Sequence, residues 1–120
     1  MSASKPVSQI VQQAEQHLTA ELISIGNPDI LYLRCFRTGA RRELALSRTA
    51  QQLYLWSEPV WERANPTHQG MRKRRYAAED PRIHTLEANA PRLYAGHAAD
   101  YWQFPTLGDL QTFVAWYKAL

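Results

Sequence analysis

Residues 30–57 read ILYLRCFRTGARRELALSRTAQQLYLWS, and the alternation within this stretch decides the fold. From Ile30 to Arg37 the chain is rich in strand formers, with Ile30, Tyr32, Arg34 and Phe36 on one face and Leu31, Leu33, Cys35 and Arg37 on the other. The first half of this segment is apolar on both faces, which predicts a central strand covered on both sides. Thr38-Gly39-Ala40 turns the chain, Glu43 to Ser47 supplies a further strand, Arg48 to Gln51 turns again, and Leu53-Tyr54-Leu55-Trp56 follows as another. Connections this short favour antiparallel neighbours. With Leu22, Ile23 and Ile25 ahead of the Gly26-Asn27-Pro28-Asp29 turn, residues 21–57 read as an antiparallel β-meander of about four strands.

Helices are expected on either side of this meander. Val7, Ile10, Val11, Ala14 and Leu18 have helical spacing, with Ser4 as cap, Pro6 in the first turn, and Gln12, Gln13, Glu15 and Gln16 facing water. This predicts a helix over residues 6–19. At the other end, Thr106-Leu107-Gly108-Asp109 has capping-box spacing, and Leu107, Leu110, Phe113, Val114 and Tyr117 form the stripe of a helix over 107–119. Between them, residues 58–80 lose periodicity and read as a long basic loop. Asp80-Pro81 then has the pattern of a cap and first-turn proline for a short helix with Ile83, Leu86 and Ala90 inward, ending before Pro91. Tyr101 to Phe104 is read as a last strand. The expectation is one α+β domain over residues 1–120, an antiparallel sheet with N- and C-terminal helices packed on it.

Composition narrows the class of protein. A chain of 120 residues with 45% hydrophobic and 21% charged residues is large enough to bury one core. Its apolar runs fall far short of the ~18 residues of a membrane span, and the first residues lack the apolar stretch of a secretory signal. One cysteine, Cys35, excludes an internal disulfide or a CxxC pair, so a cytoplasmic, reducing setting is expected, with no membrane contact.

The net charge of +3 is unevenly placed. Arg34, Arg37, Arg41, Arg42 and Arg48 against Glu43 give +4 between residues 34 and 48, and Arg72-Lys73-Arg74-Arg75 gives another +4, leaving the rest of the chain at −5. Arginine and lysine neutralise phosphates, and aromatic faces stack on bases. The candidate binding residues are therefore Arg37, Arg41, Arg42, Arg72, Lys73, Arg74 and Arg75, with Trp61 and Tyr76 flanking the second run. The leading expectation is a non-catalytic protein that contacts DNA or RNA phosphates through one merged basic patch. The alternative is an interaction module that grips an acidic protein partner with the loop around Trp61. The plain reading of the same run is a solvated loop paired with carboxylates such as Glu79 and Asp80.

Catalytic readings find little footing. His17, His68, His84 and His97 have no HExxH or HxH spacing, so neither a metal site nor a cofactor is expected. A cysteine between Leu33 and Arg37 reads as a small buried hydrophobe rather than a nucleophile. Pro28-Asp29 with Glu43 resembles the carboxylates of restriction-type nucleases, but Ala45 stands where that chemistry needs a lysine.

Overall fold

Six antiparallel strands form one sheet in the order β1-β2-β3-β4-β6-β5, so the first four follow one another as a meander. The strands are β1 Ile23–Ile25, β2 Leu33–Arg37, β3 Glu43–Ser47, β4 Leu53–Ser57, β5 Met71–Tyr76 and β6 Ala99–Phe104. The helices are α1 Gln9–Glu21, α2 Leu86–Asn89 and α3 Leu107–Lys118, with a 3₁₀ turn at Pro91–Leu93. These coordinates are a computed structural model describing residues 8–27, 29, 32–59 and 71–120, with residues 71–73 described by their backbone alone.

Strand alternation gives the sheet two apolar faces, and each is covered. Phe36, Leu44, Leu46, Leu53, Leu55, Trp102 and Phe104 point to the face on which α1 and α3 lie, against Val11, Ala14, Leu18, Leu110, Phe113, Val114 and Tyr117. Leu33, Cys35, Ala45, Trp56 and Ala99 point to the opposite face, where Leu86, Ala90 and Leu93 cover them. β2 begins at Leu33 rather than Ile30, with Cys35 and Phe36 buried on opposite faces. Of the apolar first half that suggested a covered central strand, Ile30 and Leu31 lie outside the described residues and Tyr32 is 53% exposed, and β2 sits one strand in from the edge. Each fully buried large apolar side chain contributes roughly 1.5–3 kcal/mol, and the helix-bearing layer holds most of them.

Local signals explain most boundaries. Thr106 Oγ1 accepts the Asp109 N–H at 3.1 Å, which caps α3 as the spacing predicts, and the aspartate carboxylate accepts from the Thr106 hydroxyl at 2.9 Å. The cap of α1 is Ser8, whose hydroxyl accepts from the Val11 N–H, rather than Ser4; Ser4 and Pro6 lie outside the described residues. Gly26 has φ +70°, and a Cβ there would lie 2.8 Å from the Asn89 side chain, which also accepts the Asn27 N–H at 2.9 Å. Only glycine fits this approach without strain.

Two expectations need correction. The C-terminal part of the expected basic loop is strand β5, because residues 71–76 pair with β6 from Met71↔Gln103 to Tyr76↔Ala99. Asp80-Pro81 does not open a helix: the Asp80 carboxylate accepts the Ala77 N–H at 2.9 Å and closes the turn after β5. The helix begins at Leu86 instead, and Ile83 is 38% exposed while Leu86 and Ala90 point inward.

A polar clasp at one end of the sheet binds the two layers together. Tyr117 of α3 donates its hydroxyl to the Glu43 carbonyl at 2.7 Å and accepts the Glu58 N–H at 2.9 Å. The Glu58 carboxylate accepts the Glu43 N–H at 2.7 Å and Arg92 Nη2 at 2.9 Å, while Glu43 Oε1 accepts the Arg92 N–H at 2.8 Å. Tyr117→Phe removes one atom that satisfies two backbone groups, and about 1–3 kcal/mol of stability is expected to go with it, read from the urea midpoint at unchanged m-value.

Candidate nucleic-acid interface

The second basic run lies on an outer edge of the sheet. Among the described residues β5 pairs with β6 alone, and a bulge between Arg72 and Arg74 leaves one extra residue in the strand. Arg75 is committed to structure. It forms a two-bond ion pair with Asp100, through Nε to Oδ1 and through Nη2 to Oδ2 at 2.9 Å, and the Asp100 side chain is fully buried. Arg74, with its side chain 54% exposed, lies over the Tyr76 ring at 4.1 Å and reaches Asp80 at 3.5 Å. The backbone places Arg72 opposite Trp102 and Lys73 at the bulge.

The first basic segment is split between places. Arg34 and Arg48 belong to the helix-bearing side, where both meet Glu15 of α1, at 3.4 and 2.8 Å. Glu15 is therefore a half-buried bridge rather than a solvated helix residue, beside a groove lined by Gln12, Gln16, Thr19, Ala20 and Arg48. Arg37, Arg41 and Arg42 stay together at the β2–β3 turn, where Thr38 accepts the Arg41 N–H with its carbonyl and the Arg42 N–H with its hydroxyl. Arg41 holds φ +68° in that turn, and Arg42 Nε is buried with no hydrogen-bond partner among the described residues.

The turn cluster and β5 are not brought together. The register runs Arg37↔Glu43 and Leu44↔Ser57, then Ser57↔Asp100 and Arg75↔Asp100, so Arg37 and Arg75 share one end of the sheet but sit four strands apart. At ~4.8 Å per strand that is roughly 19 Å across the sheet, with the carboxylates of Glu43, Glu58 and Asp100 between them. Trp61 lies outside the described residues.

The feature that sequence reasoning passed over is a row of rings on the face opposite α1 and α3. Tyr76 of β5 contacts Trp56 at 4.9 Å, Trp56 contacts Tyr101 at 4.6 Å, and Tyr101 stacks on Tyr54 at 5.5 Å with planes 10° apart. Tyr76 is closed off, since Arg74 and Arg82 also lie over its ring, at 4.1 and 5.1 Å. Tyr54 and Tyr101 are half-buried, and burial raises the Tyr101 hydroxyl above its ordinary range despite its bond to Ser47. The signal was present in the alternation of Tyr54, Trp56 and Tyr101, but only the β4–β6 register makes them neighbours.

Reactive chemistry is scarce in the described parts. Burial pushes the Cys35 thiol up to about 12, and nearby Glu43 adds to this, so it stays a protonated core group. His84 sits at the surface beside Tyr94 and Glu87. Among the described residues there is no cluster of three or more His, Cys, Asp or Glu side chains able to hold a metal, and no helix is long and apolar enough to cross a membrane.

Glu43 carries a testable pH effect. Burial holds its carboxyl above the ordinary range and Glu58 adds to the rise, opposed by the Arg92 N–H bond and by the charges of Arg92 and His97. A carboxyl that holds its proton more tightly folded than unfolded favours the fold most at low pH, and that contribution is lost as pH rises through its folded value. Urea melts of Glu43→Gln and the parent are therefore expected to diverge in favour of the glutamine variant as pH rises from below the carboxylate range to neutrality. Divergence in the opposite sense would contradict the buried setting of Glu43.

No family model, curated protein or solved structure matches this chain.

Proposed function

We propose that this protein is a non-catalytic nucleic-acid-binding protein whose phosphate contacts run along β5. The observation that carries this reading is the concentration of Arg72, Lys73 and Arg74 on the edge strand of the described sheet, with Tyr54 and Tyr101 half-buried on the face that Arg74 shares. Cations arrayed along an edge strand follow a polyanion backbone, and their displacement of counterions supplies most of the binding free energy. Arg75 has a structural task, and Arg37, Arg41 and Arg42 form a separate site too distant to share the same short stretch of phosphates.

Charged residues and a bulge on an edge strand also prevent it from pairing with other chains, and that role needs no ligand. Salt dependence separates the two. Fluorescence anisotropy of labelled DNA and RNA is expected to show log Kd rising linearly with log salt between about 50 and about 200 mM. Arg72→Ala and Lys73→Ala are each expected to lower the slope by about one contact without changing which sequences bind. Absence of binding at the lowest salt would leave β5 with only its edge-guarding role.

A further inference from the structure

We infer that the ligand is single-stranded, and that a base stacks on Tyr54. This rests on the polynucleotide reading above and adds the class of strand. Three observations point to it. Tyr54 ends the aromatic row: among the described residues its ring contacts only that of Tyr101, so its other face is not covered by another aromatic ring. The pair is rigid in place, because Tyr101 is held between Tyr54 and Trp56 and bonds Ser47 through its hydroxyl. Finally, β4 lies two strands from β5, roughly 10 Å across the same sheet, and Arg74, opposite Tyr101 in the register, shares the face of Tyr54, whereas Arg72, opposite Trp102, is in register with the helix-bearing face.

The geometry selects against a duplex for a simple reason. Paired bases already stack on one another inside the double helix and offer only their edges, whereas an unpaired base has a free face for a tyrosine ring. Phosphates held at β5 leave the adjoining bases free to turn over β6 toward Tyr54. Gln103, directly opposite Tyr54 and bonded to Gln52, places an amide beside the same ring.

Anisotropy with a short labelled oligothymidylate and with a duplex of the same length, at one low salt concentration, tests this. The single strand is expected to bind at least ten-fold tighter. Tyr54→Leu keeps apolar bulk on the strand but no aromatic face, and is expected to lose about ten-fold in single-strand affinity with the salt slope unchanged. Tyr54→Phe is expected to bind as the parent does. An oligothymidylate carrying iodouracil is expected to photocrosslink to Tyr54 in the unaltered protein, which keeps the test independent of how the variants fold.

Equal affinity for both forms or parent-like binding by Tyr54→Leu would each overturn this inference while leaving β5 as the phosphate contact, and crosslinks confined to the α1 groove would overturn both. Competition by polyglutamate as effective as by oligothymidylate would mean charge alone is recognised, and would also overturn it. If neither form binds, the reading beneath it falls as well.

Discussion

Replacing Phe113 by alanine is expected to destabilise the protein by about 3–5 kcal/mol, the largest effect of any single substitution argued from this structure. Phe113 is fully buried at the centre of the helix-bearing layer, where its ring meets Trp102 at 5.1 Å, Phe104 at 5.2 Å, Tyr117 at 5.5 Å and Trp116 at 5.9 Å. Truncation removes apolar area and leaves a cavity walled by large rings held by two different elements, which cannot close in together. For a domain of this size the melting temperature is expected to fall by roughly 10–20 °C, followed by circular dichroism. A fall of only a few degrees would mean that α3 does not pack on β6 as described.

The second large effect lies on β5. Arg75→Met retains length and apolar contact but removes the guanidinium from Asp100, whose side chain is fully buried. Breaking a buried pair by deleting one partner leaves a charge in a poorly solvated setting, and about 3 kcal/mol of destabilisation is expected. Adding Asp100→Asn to the same chain is expected to restore part of the loss, because the remaining group then carries no charge. Urea unfolding of both single variants and the double variant measures this coupling directly. If the losses simply add, the pair does not hold β5 to β6. Arg75 thereby separates from its neighbours: its loss is expected to weaken the fold, whereas loss of Arg72 or Lys73 is expected to weaken binding and lower its salt slope while leaving the fold intact.

The parts of the fold that were legible in the sequence are those whose partners are near in the chain. β2, β3 and β4 alternate cleanly and are joined by short turns, so their pairing follows from local pattern. The stripe of α3 and its Thr106 cap were equally readable. β5 was not, because four consecutive cations hide any alternation and its strand state is imposed by pairing with β6, more than twenty residues further on. Asp80-Pro81 misled for a related reason: the carboxylate that signals a helix start is spent on the Ala77 N–H.

The candidate site was legible as composition and illegible as geometry. Charge counting found the cations but not their partners. Glu15 lies on a helix whose polar positions read as solvent-facing, yet it bridges Arg34 and Arg48, and Asp100 gave no sign that it would hold Arg75. Insertion of β6 between β4 and β5 separates the two basic clusters, and that same insertion aligns Tyr54, Trp56, Tyr101 and Tyr76 into one row. Sheet order is a long-range property, and it decides which cations and rings can act together.

The central claim, that β5 and the adjoining aromatic face form the binding surface, is tested most directly by amide chemical-shift mapping during titration with oligothymidylate at low salt. The account predicts shifts concentrated in residues 71–76, Tyr54 and Tyr101, with α1 and α3 silent. Shifts confined to the α1 groove around Glu15 and Arg48, or to the turn at Arg41 and Arg42, would contradict it.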